Sequence, residues 1–347
     1  MSSDITHNTK LARRPTLKDV AEEAGVSRAT ASLVLRQSPL VAQATRERVQ
    51  SAMERLGYVY NRSAASLRKQ TSGAVAMVVP DLRNPFYAAL AVEVERYIEN
   101  ENLILFLSST GESPSKQRRT IESMLEYGVD GFILSPAAAT EAEDLADLVT
   151  GPTPFVLATR WTAGVAADYV GYDNDKGAES AVAHFLSLGH RRVAFMAGQT
   201  KSSAGQERLQ GYLRAHQKAG VPVDESLIYS HPITAAAAYQ GIQKLLRIPD
   251  PPTAVFCFND FVAHGVLFGL WEAGVLPGQD VAVAGFDNLD EAQHWRPPLT
   301  TVDYRRDILG STAARLLMER LKNPSLPIRT VIYEPTLVVR ESSGKPR

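Results

Sequence analysis

Two rhythms of apolar and polar positions run along the 347-residue chain. Up to about residue 57 the apolar positions fall at helical spacing. Leu17, Val20, Ala21 and Ala24 share one face of a first helix, which Thr16-Leu-Lys-Asp19 opens as a capping box and Gly25 ends. Val26 follows as a packing residue, and Ser27 is placed to cap a second helix running to about Leu35, whose Ala31 and Val34 face the first. Val49, Ala52, Met53 and Leu56 mark one side of a third helix over 43–56, closed by Gly57. The spacing predicts a helix-turn-helix, although three short helices around a tight Gly turn also fit a plain structural bundle.

From Ser72 the rhythm changes to short apolar runs alternating with amphipathic helices. Residues 74–79, 104–107, 131–134 and 154–157 read as buried strands, with helices near 87–100 and 115–127 between them. A second series, Tyr169-Val170 followed by 192–196, 254–258 and 281–285, repeats the alternation. The pattern predicts a parallel α/β core in two similar lobes.

With 44% hydrophobic residues the chain is long enough to bury two or three compact units. Met1 to Arg14 is polar and basic where a secretory signal needs an apolar run, and no stretch approaches the ~20 apolar residues of a membrane span. A cytoplasmic location and no membrane partner are expected. The single cysteine, Cys257, sits among apolar neighbours and predicts a buried strand residue. Charge alters the picture more. Residues 1–72 carry 12 Lys and Arg against 6 Asp and Glu, a net +6, while the remainder carries 25 against 32, a net −7. A small basic unit ahead of an acidic body suits partial neutralisation of phosphates and points to duplex DNA as partner.

At this point the residues resemble a known family. Leu17-Lys-Asp-Val-Ala-Glu-Glu-Ala-Gly-Val-Ser27, Thr45-Arg-Glu-Arg-Val49, Leu56-Gly-Tyr58 and Asn61-Arg-Ser-Ala-Ala-Ser-Leu67 are similar, in order and spacing, to the opening of the lactose-repressor (LacI/GalR) family. The resemblance implies a sequence-specific transcriptional regulator, expected to be a repressor, with Ser27 to Leu35 as recognition helix in the major groove. It places DNA contacts on Thr16, Ser27, Arg28, Ala29, Thr30 and Leu33, and on Asn61, Ala64, Leu67 and Arg68 of a hinge over 61–71. Base reading falls on Arg28, Ala29 and Leu33. Arg28 has the fork for guanine O6 and N7, while Ala29 and Leu33 offer apolar contact only. Leu67 matches a leucine that wedges into the minor groove at the operator centre when two hinges meet. Three departures are visible: Leu33 where arginine is common, Tyr60 where proline is common, and Ala42 where a hydroxyl usually caps the third helix.

The resemblance continues in Asn84-Pro-Phe86, Asp173-Asn174, Gly189-His190, Arg208-Leu-Gln-Gly-Tyr212, Phe258-Asn-Asp260, Gly285-Phe-Asp287, Pro298-Leu-Thr-Thr301 and Val339-Arg-Glu-Ser342. It implies a periplasmic-binding-protein-like core of two doubly wound lobes over 72–343, preceded by a tail over 1–15 and the helix-turn-helix over 16–60. One lobe is expected over about 72–161 and 301–330, the other over 162–300 and 331–343. Ligands of open α/β sheets bind beyond the carboxyl ends of the strands. Those loops carry polar and aromatic side chains able to hold a polyhydroxylated effector, expected to be a sugar or sugar derivative. Tyr87, Arg208 and Asp287 match effector positions best, followed by Phe86, Arg160, Asn259 and Trp295, and each also fits a structural cap or an inter-lobe bridge. Thr159 and Ala204 stand where some relatives place polar contacts.

An enzyme reading finds no support: the first strand runs into Pro80-Asp-Leu-Arg-Asn-Pro85 with no phosphate loop, and the seven histidines are scattered without a ligand pair. No cofactor or metal is expected. A transport or chemotaxis sugar-binding protein shares the core but calls for a signal peptide where this chain has a basic helix-turn-helix. One helix-turn-helix reads too few bases alone, so a homodimer on a pseudo-palindromic operator is expected. No leucine heptad follows Ser342 to suggest a tetramer.

Overall fold

A computed structural model describes residues 13–59, 71–198 and 201–346. The chain separates into two compact units, one up to Gln70 and one from Thr71 onward.

In the first unit the helices are α1 (Leu17–Glu23), α2 (Arg28–Leu35) and α3 (Gln43–Leu56). Thr16 accepts from the Asp19 amide, and the Asp19 carboxylate accepts from the Thr16 amide at 2.7 Å, so the first two orphan donors of α1 are satisfied reciprocally. Gly25 then turns the chain at φ 61°, a left-handed conformation disfavoured for other residues. Ser27 accepts from the Thr30 amide at 3.0 Å to start α2. The core between the helices is built from Val20, Ala21, Ala24, Ala31, Val34, Val49 and Ala52. Four alanines among seven residues let the helices approach closely. Each boundary expected from the sequence agrees within a residue.

The second unit holds two six-stranded sheets. The first contains β1 (Ala74–Val79), β2 (Ile104–Ser109), β3 (Gly131–Leu134), β4 (Phe155–Ala158), β5 (Asp168–Tyr172) and β11 (Thr330–Tyr333), in the order β11-β5-β4-β3-β1-β2 with every pairing parallel. The second contains β6 (Val193–Gly198), β7 (Ile228–Ser230), β8 (Ala254–Cys257), β9 (Ala282–Phe286), β10 (Thr300–Asp303) and β12 (Thr336–Val338), in the order β12-β10-β9-β8-β6-β7. Only its edge pair β10 and β12 is antiparallel. Helices connect most successive parallel strands, and β1, β3 and β4 are buried along their whole length and read as unbroken apolar runs.

The chain passes between the lobes three times, and the first passage lies beyond the one expected near 161. Tyr169-Val170 belongs to β5 of the first sheet, not to the second series, and the chain leaves that lobe at Asp173. It returns after β10, at Tyr304, and crosses again between β11 and β12. The cause is electrostatic as well as apolar. Asp168, fully buried at the start of β5, accepts from Arg320 at 2.9 Å and from the Arg329 amide at 2.8 Å. Arg320 lies on the helix Arg306–Lys322, and Arg329 leads into β11, so one buried carboxylate ties three distant segments to the first lobe.

Ala42 occupies the N-cap of α3 with extended backbone (φ −61°, ψ 145°) and no side-chain cap. Ala42→Ser should therefore stabilise the first unit by ~1 kcal/mol. An unchanged first-unit transition in thermal unfolding of the full chain would count against this account of the α3 start.

Candidate functional site: an inter-lobe cleft and an exposed helix start

The carboxyl ends of both sheets open onto one cleft of the second unit, with an empty volume of about 560 Å³ including its mouth. Phe86, Tyr87, Arg160, Arg208, Asn259 and Asp287 all line it. Each arrives through local chemistry. Asn84 follows β1 and caps the helix α4 (Pro85–Glu99) by accepting from the Phe86 amide at 3.1 Å, which aims Phe86 and Tyr87 inward from its first turn. Asn259 follows β8 and caps the helix Asp260–Glu272 by accepting from the Val262 amide at 2.9 Å. Its capping role is real, and it also lines the cleft. Arg208 arrives from within a helix. It lies in the second turn of Ser203–Ala219, capped by Ser202, and points back into the cleft.

Arg208 is enclosed. Nε donates to Asn174 Oδ1 at 3.0 Å, Nη1 donates to the Phe258 carbonyl, and the guanidinium lies 3.7 Å from the Phe286 ring centroid and 4.6 Å from that of Phe258. Its Nη2 stands 4.0 Å from Asp287 Oδ1. Asp287 adopts φ 119° just beyond β9, and its carboxylate accepts from the Tyr304 hydroxyl. Burial pushes the Asp287 carboxyl up to about 6, against the pull of Arg208. Across the cleft Arg160, only 5% exposed, forks onto Glu112 at 2.9 and 3.0 Å and donates to the Pro136 carbonyl at 3.1 Å. Neither guanidinium bridges the lobes. Aromatic faces complete the walls: Tyr172 stacks on Tyr304 with centroids 3.8 Å apart, and Phe86 meets Tyr304 edge-on.

Trp295 is the exception among the expected residues. It does not line the cleft, because its ring packs on His264 with centroids 5.1 Å apart, against the lobe's core. Conversely Asp81, Glu112, Tyr172, Asn174, Phe258 and Tyr304 line the cleft without having been assigned to it. Glu112 and Asp81 follow β2 and β1, so reading every strand end for carboxylates would have found them.

In the first unit Arg28 and Ala29 are exposed at the start of α2, with Leu33 half-buried further along the helix. Thr16, Ser27 and Thr30 use their side chains in the caps of α1 and α2. Asn61, Ala64, Leu67 and Arg68 lie outside the described residues.

Comparison with known proteins matches residues 16–61 to bacterial regulatory proteins of the lacI family and residues 182–343 to a periplasmic binding protein-like domain. The HTH-type transcriptional repressor PurR of Photobacterium profundum is 33% identical over 329 residues, 94% of this chain and 98% of that protein. The chain belongs to the lacI family of bacterial regulatory proteins. Among solved structures, this lacI-family chain is similar to a transcriptional regulator CelR–cellobiose complex, at 33% identity, TM-score 0.70 and coverage of 95% and 100% of the two chains. A Lac repressor dimer bound to operator and the anti-inducer ONPF shares the fold at TM-score 0.82 and 23% identity over 96% and 100%. Among the described residues no helix is long and apolar enough to cross a membrane.

Beneath the Asp287 loop lies a second buried carboxylate. Asp260 accepts from the Leu289 amide at 2.8 Å and the Thr301 hydroxyl at 2.6 Å, and it fills the space where a Gly285 side chain would be, since a Cβ there would come within 2.1 Å of Oδ1. Burial, reinforced by the charge of Asp287, pushes it up to about 8. Both carboxyls therefore hold protons more tightly when folded than at their unfolded value near 3.8. The native state binds the extra protons, so stability should fall as pH rises between about 4 and about 8. Asp260→Asn should flatten the upper part of that slope in unfolding measured from pH 5.5 to 8.5, in steps of roughly half a unit. An unaltered slope would assign the protons to other groups.

Proposed function

We propose that this lacI-family chain is a cytoplasmic repressor that binds a pseudo-palindromic operator as a homodimer and is switched by a hydroxyl-rich small molecule, a sugar or sugar derivative, held between its lobes. The observation that carries the reading is the convergence of Arg208, Asp287, Asn174 and Asn259 with Arg160 and Glu112 at facing strand ends, under aromatic walls. Amides, guanidinium and carboxylate are what paired sugar hydroxyls require, and the aromatic faces suit C–H surfaces. The related regulator solved with cellobiose supports a carbohydrate ligand for this chain.

On the DNA side, the exposed Arg28 at the start of α2 is assigned the guanine-reading role, with Ala29 and Leu33 making apolar contact, for instance with a thymine methyl. Thr16, Ser27 and Thr30 contact the backbone while capping α1 and α2. Closure of the lobes changes the separation of the two DNA-binding units of a dimer, which couples effector to operator by ~1–3 kcal/mol.

Arg208→Ala should weaken effector binding by roughly 30-fold or more, since a buried charge-assisted donor is lost, while operator binding persists. Titrations of sugars against the protein on an operator selected from random DNA read this directly. An unimpaired ligand response in that variant would remove the cleft assignment. In the same selection, Arg28→Ala should relax base choice at one symmetric position by ~1–3 kcal/mol. Unchanged selectivity would exclude Arg28 from base reading.

A further inference from the structure

Each lobe presents one buried guanidinium to the cleft, and each guanidinium is already balanced by a carboxylate of its own lobe. In the first lobe Arg160 is forked onto Glu112 and spends a further donor on the Pro136 carbonyl. In the second, Arg208 faces Asp287 and donates to Asn174 and Phe258. A third carboxylate, Asp81, stands at the rim and is held by the exposed Arg83 at 2.7 Å. The Glu112 pairing is built at a cost. Its backbone sits at φ 62°, where a side-chain-bearing residue is disfavoured by ~1 kcal/mol or more, and the carboxylate offsets this by also accepting from the Ala138 amide at 2.7 Å.

From this arrangement we infer that the effector is uncharged, and that Glu112 is the specificity-determining residue that makes the cleft refuse anions. The inference rests on the cleft being the effector site. A phosphate or carboxylate entering it meets Asp81, Glu112 and Asp287 along the same poorly screened lining, and any guanidinium N–H it reaches belongs to a charge that a carboxylate already balances. A hydroxyl avoids the conflict, because it donates to a carboxylate and accepts a remaining guanidinium N–H at the same oxygen. Neutral polyols therefore complete the site without disturbing either ion pair.

The test uses the full chain, with thermal unfolding and calorimetry against glucose, cellobiose, glucose 6-phosphate and inorganic phosphate. Wild type is expected to show no phosphate binding, and a sugar that binds should lose at least about tenfold in affinity on phosphorylation. Glu112→Gln retains an acceptor for the Ala138 amide, frees the Arg160 charge and should gain phosphate binding, and the gain should vanish in the Glu112→Gln/Arg160→Gln double variant. Phosphate or glucose 6-phosphate binding to wild type that disappears in Arg160→Gln overturns the inference. So does a folded Glu112→Gln with no gain. If Glu112→Gln fails to fold, phosphate on the wild type decides, with stabilisation counting against the inference and its absence for it. Sugars without effect on wild type, together with phosphate gained by Glu112→Gln, would sink the carbohydrate reading and leave the charge inference standing.

Discussion

A guanidinium taken out of water loses several kcal/mol of solvation unless charge and hydrogen bonds replace it. Arg208 meets that demand inside a single lobe. Its partners come from three segments of the second lobe: Asn174 after the crossing, the Phe258 carbonyl after β8, and Phe286 and Asp287 at the end of β9. The strand ends are thereby held at fixed separations. Asp287 in turn accepts from Tyr304, where the chain returns to the first lobe, so the cation also anchors the passage. Asp260 braces the same loop from below through Leu289 and Thr301, in space that only a glycine at 285 leaves open. Removing the cation would take from the buried Asp287 the cation that lowers its pKa most, and its carboxyl would hold a proton more tightly still.

The features that could be read from sequence are those set by local chemistry. Thr16 with Asp19, Gly25, Ser27 and Gly57 each start or stop a helix through groups within three or four residues, and the first unit follows them closely. The strand runs of the core are legible for a similar reason, because burial on both faces leaves unbroken apolar stretches. What an apolar run does not disclose is its sheet. Tyr169-Val170 pairs with β11 some 160 residues away, and β11 alternates exposed and half-buried positions that carry little apolar signal. The lobe boundary therefore moved to Asp173.

The cleft divides along the same line. Arg208, Asp287 and Asn259 sit in blocks shared with the family, the latter two directly beyond strand ends and Arg208 in the second turn of the helix that follows β6. Glu112 belongs to no such block. Its place depends on the parallel register of β1 and β2 and on a positive φ that nothing local demands. Trp295 shows the opposite error, an aromatic in a suggestive loop whose ring is taken up by His264.

Because each cleft guanidinium is neutralised within its own lobe, separating the lobes strands neither of these buried charges. Contacts that do cross near the mouth include three neutral or singly charged hydrogen bonds: the Trp161 indole donates to Glu207 at 2.7 Å, the Trp161 amide donates to Ser203 at 2.9 Å, and the Ala139 amide donates to the Lys201 carbonyl at 3.1 Å. The ion pair of Arg306 with Asp290 stands at the crossing with the Asp290 side chain 82% exposed, where water screens it. Hydrogen bonds of this kind contribute about 0.5–3 kcal/mol each, a scale that the binding of one small ligand is able to match. A charge pair across the cleft would have locked the lobes or repelled them. Two separately balanced lobes leave the equilibrium near the range in which a differential affinity of a few kcal/mol decides it, which is the condition for ligand control of the DNA-binding unit.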